Sequence, residues 1–317
     1  MQKDPIRSAV EPNIPHAGRP SQAAAGAKML VVLLAFAWGL NWIAAAIALH
    51  EMTPWSLRCV GTSIGVVTLF AAAYVTGHNM RVPRGEYIHV MIPGFLNVAA
   101  FQILSGFAQI NGATSRAIII TYSMPIWATV LSFFVLGERL TPIRSTALGL
   151  CIAGLTILVW PLFVHGFPPF VLYSLGCALS WAGATIYIKW AKLTIEPLAS
   201  AAWQLVFGLV FIFAGTFVFE GVPRVWPLNN ATILAVLFVG IFGVGLAHFL
   251  WWAIVGRLPA ITASLGSLMT PVVGVSASAL ILGEHLTVPD VLGFTMIFAA
   301  AACVLLQPNV KHTKMPE

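Results

Sequence analysis

Ten apolar stretches follow one another along this chain, separated only by short polar interruptions. They fall near 29–49, 54–76, 87–108, 113–136, 143–162, 169–190, 197–219, 231–255, 260–282 and 289–307. A transmembrane helix needs about 20 apolar residues, so each stretch reads as one membrane span. Composition points the same way, because 59% of residues are apolar and only 8% are charged, whereas a soluble domain is about one quarter charged. A soluble chain of this length has too little interior to hide so much apolar surface. Eleven Trp and twenty Phe fit a protein with aromatic belts at the membrane interface. The expected fold class is all-α integral membrane, with ten transmembrane helices.

The loops set the orientation. With the N-terminal tail in the cytoplasm, the cytoplasmic segments hold every Lys and Arg except Arg224 on the opposite side and Arg58 and Arg116 inside spans. That bias is the positive-inside pattern, so both termini are expected in the cytoplasm. The net charge of +6 serves orientation, and no nucleic-acid partner is implied. Residues 1–27 hold charges, prolines and glycines without an apolar run and read as a disordered cytoplasmic tail. Residues 308–317 read as a second cytoplasmic tail. No cleavable signal peptide is expected, since the first apolar stretch is long and many more follow. Cys59, Cys151, Cys177 and Cys303 each stand alone in apolar surroundings, which suits packing and indicates neither a metal site nor a disulfide framework.

The chain also repeats itself. Pro125, Ser132, Leu136, Gly137, Glu138, Leu140 and Thr141 recur 146 residues later as Pro271, Ser278, Leu282, Gly283, Glu284, Leu286 and Thr287. At the same offset Gly94 meets Gly240 and Gln102 meets His248; at an offset of 143, Trp38 meets Trp181, Pro54 meets Pro197 and Gly65 meets Gly208. The expected halves are residues 28–162 and 163–307, five spans each. An odd number of spans makes the second half enter the membrane upside down, and inverted repeats with a site at their interface are a transporter architecture.

The two Gly-Glu-x-Leu-Thr segments, each following a Pro-containing span, resemble the EamA-type transporters of the drug/metabolite transporter superfamily. Trp38-Gly39-x-Asn41-Trp42 and Pro54…Arg58 are similar to that family's opening patterns. The resemblance covers residues 28–307. It implies ten helices, a bacterial inner-membrane location, and export of amino acids or related small metabolites. His285 stands where the first repeat has Arg139, a departure from the family pattern.

Several residues are candidates for cargo contact. Arg116 lies near the outer end of the fourth span. A charge there docks a substrate carboxylate or snorkels to the headgroups. Arg58, one turn into its span, is expected to snorkel. His248 is the titratable group nearest the middle of a span and is paired by the repeat with Gln102. Two roles fit it: a coupling-proton site and a hydrogen bond between helices. Pro125 and Pro271 each remove a backbone donor and free a carbonyl, which is tolerated where the carbonyl lines a cavity. Matching kinks are therefore expected, with Tyr122 and Ser123 around the first and Ser267 and Thr270 around the second. Trp38, Asn41, Trp181 and Trp252 are candidates either for stacking on cargo or for packing. Glu138 and Glu284 are expected to be structural, accepting from the free N–H groups of the helix that follows each.

Other motifs fail on context. Gly61-Thr62-Ser63-Ile64-Gly65 matches a nucleophile-elbow pattern, but that chemistry needs a strand-to-helix turn, and glycines so spaced in an apolar helix suit close helix packing. No cofactor, metal or catalytic group is expected. The expected partners are a small-molecule substrate and the lipid bilayer; the oligomeric state is open, and a monomer is compatible with the sequence. Two other readings stand beside the exporter. One is a carrier of phosphorylated metabolites or nucleotide sugars, which would need Arg58 and Arg116 in one cavity. The other is a membrane-embedded enzyme, which would need a catalytic polar cluster.

Overall fold

In a computed structural model of the protein, the described residues are 22–137, 141–163, 168–223, 225–255 and 260–305, and the regular structure among them is entirely helical. Helix α1 is Gln22–Ala48 and α2 is Pro54–Val75; α3 (Tyr87–Pro93) continues through a π-helical stretch, Gly94–Ala100, into α4 (Phe101–Asn111). Next come α5 (Thr114–Thr121), α6 (Met124–Leu136), α7 (Pro142–Phe163), α8 (Pro169–Ala191) and α9 (Pro197–Phe219). Helix α10 (Asn230–Phe238) passes through a second π-helical stretch, Val239–Leu246, into α11 (Ala247–Val255); α12 (Ala260–Ile281) and α13 (Val288–Leu305) follow.

Seven helical stretches of 20 to 25 residues are long and apolar enough to cross a membrane, and Ser145–Pro161, Met269–Ile281 and Val288–Cys303 are shorter apolar helices. Phe134, Val210, Phe217 and Leu280 are exposed. Such an apolar exterior has no place in water and fits lipid.

Side chains cap the starts of two helices. Thr53 precedes Pro54 and its hydroxyl accepts from Ser56 N–H at 3.4 Å. Asn229 caps α10 by accepting from Thr232 N–H at 2.8 Å. These caps satisfy donors that a helix end leaves free.

Two contacts between sequence-distant helices are built alike. A Cβ on Gly65 in α2 would stand 2.3 Å from Val244 and 3.3 Å from the Gly240 carbonyl; one on Gly208 in α9 would stand 2.4 Å from Val98 and 2.9 Å from the Gly94 carbonyl. Only glycine lets the backbones approach this closely. Each glycine faces a π-helical stretch from the other half of the chain, and the two contacts exchange under the repeat that matches Gly65 with Gly208 and Gly94 with Gly240. Two loop contacts exchange as well. Glu51 accepts from Asn229 N at 2.9 Å and Nδ2 at 2.6 Å, and Glu86 accepts from Thr194 N at 3.0 Å and Ile195 N at 3.1 Å. Glu51 matches Thr194, and Glu86 matches Asn229, at the 143-residue offset.

Two structural expectations need correction. The paired prolines do not behave alike: the chain breaks at Tyr122–Ser123, placing Pro125 in the first turn of α6, whereas Pro271 lies inside the continuous helix α12. A first-turn proline gives up only a donor that has no intrahelical partner. Glu284 does not serve the helix that follows it. It accepts from Thr114 N at 2.6 Å and Ser115 N at 2.8 Å, the free donors at the start of α5. The following helix, α13, is capped from within, Asp290 accepting from Thr287 N at 2.8 Å and Thr287 Oγ1 at 2.7 Å. Glu138 and Arg139 lie outside the described residues.

Candidate functional site

The helices enclose a cavity of about 360 Å³ lined from both halves of the chain, within the size range of small-ligand sites. Helices α4 and α8 flank it in antiparallel fashion, as the approach of Gly112 to Phe170 and the contacts Phe101–Trp181 and His89–Tyr187 show. Along α8, Trp181, Thr185 and Lys189 line the wall one turn apart. Thr185 and Lys189 are exposed, whereas Gln109 and Thr121, towards the other end, are buried. The cavity therefore opens at the C-terminal end of α8 and is closed at the N-terminal end.

An aromatic group forms one wall. Trp38 meets Trp181 edge-on at 6.1 Å, His248 edge-on at 6.2 Å and Trp251 at 5.8 Å between ring centroids, and Phe101 meets Trp181 at 5.1 Å. These separations suit edge-to-face aromatic packing. His248 Nδ1 donates to the Val244 carbonyl at 2.6 Å, the preceding turn of its own helix. That bond fixes the tautomer of a neutral ring and leaves Nε2 as acceptor.

Another part of the lining is polar. Gln102, Ser105 and Gln109 lie at helical spacing on one face of α4. Arg58 is 3% exposed; its Nε donates to the Gln102 carbonyl at 3.0 Å and its Nη2 to Ser105 Oγ at 3.0 Å. Thr62 Oγ1 donates to Gln102 Oε1 at 3.1 Å, and Gln109 Nε2 donates to the Trp42 carbonyl at 2.7 Å. Asn41 Oδ1, Asn97 Oδ1, Gln109 Oε1 and Ser132 Oγ are buried with no hydrogen-bond partner among the described residues. All four residues line the cavity.

Of the residues proposed from sequence, Trp38, Asn41, Gln102, Tyr122, Pro125, Trp181 and His248 line this one cavity. The others do not. Ser123 is fully buried, donating to the Ile120 carbonyl at 2.7 Å and accepting from Trp127 Nε1 at 3.0 Å. Thr270 and Pro271 are buried in α12. The side chains of Trp252 and Ser267 lie outside the described residues.

Arg116 is the main correction. It does not line the cavity, and its guanidinium is paired with Asp290, Nε to Oδ1 at 2.7 Å and Nη2 to Oδ2 at 3.1 Å. The expectation failed because the partner carboxylate lies in the first turn of the last span, 174 residues away. Arg58 is corrected in the opposite sense. It does not reach for the headgroups, because burial and its bonds to α4 hold it inward. The carrier of phosphorylated cargo loses its paired arginines by these two placements.

Ser105, Gln109, Thr129, Ser132, Thr185 and Lys189 also line the cavity and were missed. Periodicity carries their signal: Ser105 and Gln109 follow Gln102 by three and seven residues, Thr129 and Ser132 follow Pro125 by four and seven, and Thr185 and Lys189 follow Trp181 by four and eight.

A multi-pass helical membrane protein with a closed-ended central cavity shared between two halves is a transporter-type architecture. Two segments of the chain, 26–160 and 169–306, match the model of the EamA-like transporter family. The chain belongs to that family, with one copy of the unit in each half. It is 24% identical over 277 residues to the uncharacterized transporter YoaV of Bacillus subtilis, covering 84% of this chain and 92% of that protein. It is 24% identical over 286 residues to a probable amino-acid metabolite efflux pump of Escherichia coli, covering 85% and 91%. A crystal structure of a protein with 21% identity superposes with a TM-score of 0.62 over 88% of this chain and 96% of that one, a likeness of fold.

Proposed function

We propose that this transporter exports amino acids or related small metabolites across the bacterial inner membrane, by alternating access between two inverted repeats of five helices. The halves are residues 28–162 and 163–307, between cytoplasmic tails 1–27 and 308–317. The observation that carries this reading is the cavity shared by both halves, with exposed lining at Thr185 and Lys189 and buried lining at Gln109 and Thr121. The Lys189 end lies on the side rich in Lys and Arg, so the cavity faces the cytoplasm in this reading. The exchanging contacts at Gly65 and Gly208 support inversion, since an inverted repeat puts the same packing on both sides of the membrane. The ten helices are the seven long stretches together with the three shorter ones. The efflux pump among the relatives supports the outward direction. His248, with Nε2 left by its backbone bond, is the site for a coupling proton.

The test compares metabolites in the medium of cells carrying the wild type with those of cells carrying Thr185→Trp, at equal membrane abundance. Thr185 is exposed at the cavity mouth, so the indole plugs the opening without entering a core. One class of amino acid or small metabolite accumulating outside only with the wild type supports export. Identical media from wild-type, plugged and empty-vector cells, together with no solute exchange in proteoliposomes, would overturn it.

A further inference from the structure

We propose that the seam between the loop joining α2 to α3 and the loop joining α8 to α9 is a docking site for the headgroup of an anionic phospholipid, held by Arg81, Arg84 and Lys192.

The two loops are bound to each other through their acids. Glu86 accepts from Thr194 N at 3.0 Å and Ile195 N at 3.1 Å, and Glu196 Oε1 meets His78 Nδ1 at 2.5 Å. Trp203 Nε1 donates to the Met80 carbonyl at 2.8 Å. Arg84 stands two residues before Glu86, and Lys192 two before Thr194, so these bonds bring one cation from each half of the chain to the same seam. Arg81 adjoins Met80. All three cations are exposed, and none pairs with an acid among the described residues. Both acids of the seam are already engaged, so the positive charge there stays unmatched.

The backbone at Lys192 is a separate observation. Lys192 ends α8 in the left-handed conformation, φ 49° and ψ 51°, and among the described residues it alone has a positive φ without being glycine. That position favours glycine, because a Cβ there is strained. A cation near the last carbonyls favours a helix end, but Lys189 in the last turn already supplies one. A lysine kept at such a position has a use for its charge beyond the helix.

The chemistry of the ligand follows from what stands beside the cations. Trp190 is 53% and Tyr87 49% exposed, and Trp190 packs with Tyr187 and His89 at 5.6 and 6.4 Å between ring centroids. Exposed indole and phenol rings at the end of an apolar span belong at headgroup depth. Cations beside them meet lipid phosphates, and an anionic headgroup gives a net attraction that a headgroup carrying its own ammonium does not. A soluble anion would leave the rings uncovered.

The test follows thermal unfolding of the purified protein in uncharged detergent, titrated with dihexanoyl phosphatidylglycerol or dihexanoyl phosphatidylcholine. Phosphatidylglycerol is expected to stabilise at a concentration at least about tenfold lower. Each of Arg81→Gln, Arg84→Gln and Lys192→Gln should weaken that lipid about fivefold, the attraction that one basic residue near the surface supplies. The triple variant should treat the two lipids alike. Lys28→Gln, which removes the same charge from α1, should leave the preference as it is. Lys192→Gly should lower the preference yet raise the unfolding temperature without lipid, since glycine takes a φ of 49° without strain. Glycerol phosphate, the free headgroup, should not stabilise, because it has no chains to hold it beside the rings. The proposal is overturned if the two lipids stabilise wild type alike, or if the triple variant keeps the preference. It is equally overturned if Lys28→Gln weakens the preference as much as the seam variants do, or if glycerol phosphate stabilises as well as the lipid.

Discussion

Arg116 and Asp290 meet in a two-pronged ion pair, Nε to Oδ1 at 2.7 Å and Nη2 to Oδ2 at 3.1 Å, that ties α5 of the first half to α13 of the second. Beside it Glu284, in the loop before α13, accepts from the first two N–H groups of α5. Both contacts lie at the closed end of the cavity. At the 146-residue offset Asp290 corresponds to Arg144, and Arg116 to Thr262. Those two residue types cannot form an ion pair, so this latch has no repeat-related counterpart and favours closure at one end.

Removing the latch should loosen that end. The Arg116 side chain is 26% exposed and that of Asp290 3% exposed. Arg116→Ala leaves Asp290 its bonds to Thr287, so the loss should be about 1–3 kcal/mol. Asp290→Ala removes both pair and cap and should cost about 1 kcal/mol more. Thermal unfolding in detergent measures the order. Labelling of a cysteine at Thr121 from outside the cell should rise in both variants; unchanged labelling would show that other contacts hold the end closed.

The paired glycines test the repeat itself. A methyl group at Gly65 or at Gly208 would be driven into Val244 or Val98, at 2.3 and 2.4 Å. Overpacking of this kind costs about 1–3 kcal/mol. Gly65→Ala and Gly208→Ala should therefore lower the unfolding temperature by similar amounts, and Val244→Ala should partly restore only the former. Rescue of Gly208→Ala by Val244→Ala would contradict the pairing.

The fold was far more legible than the site. Long apolar runs and matched Pro and Gly positions are local or periodic signals, and they led to the helices, the repeat and, of the cavity's aromatic wall, Trp38, Trp181 and His248. The wide turns at Gly94–Ala100 and Val239–Leu246 were not readable, because apolar residues all round a buried span leave no stripe from which to count residues per turn. Arg116 misled because a lone arginine in a span looks the same whether its partner is cargo, headgroup or a carboxylate distant in sequence. Arg58 misled by its nearness to a helix start. Only the packing of α2 on α4 shows that it points inward.

Acid should weaken the loop contacts that link the halves. Backbone donation from Asn229 holds the Glu51 carboxyl below its ordinary pKa, and the Thr194 hydroxyl does the same to Glu86. A carboxyl depressed in the folded state adds stability above the unfolded pKa, and that stability is lost as pH falls through the folded value. The gap in unfolding temperature between wild type and the Glu51→Gln, Glu86→Gln double variant should be full near neutrality. It should shrink steadily below the ordinary carboxylate range. Both groups are almost wholly solvated, so the gap should also narrow in high salt. A gap independent of pH would assign the effect to lost geometry.

His248 separates coupling from binding. Its Nδ1 is committed to the Val244 carbonyl at 2.6 Å, and the ring also packs against Trp38 at 6.2 Å. Glutamine keeps a polar group there without a titrating one. His248→Gln should leave solute counterflow in proteoliposomes within about threefold of wild type, the scale of a lost neutral hydrogen bond. Transport driven by an imposed proton gradient should fall at least about tenfold. Glutamine cannot take up a proton, so the wild-type gradient-driven rate should depend on pH and the variant's should not. Equal losses in both assays would make His248 a packing residue, fixed by the same bond that orients it.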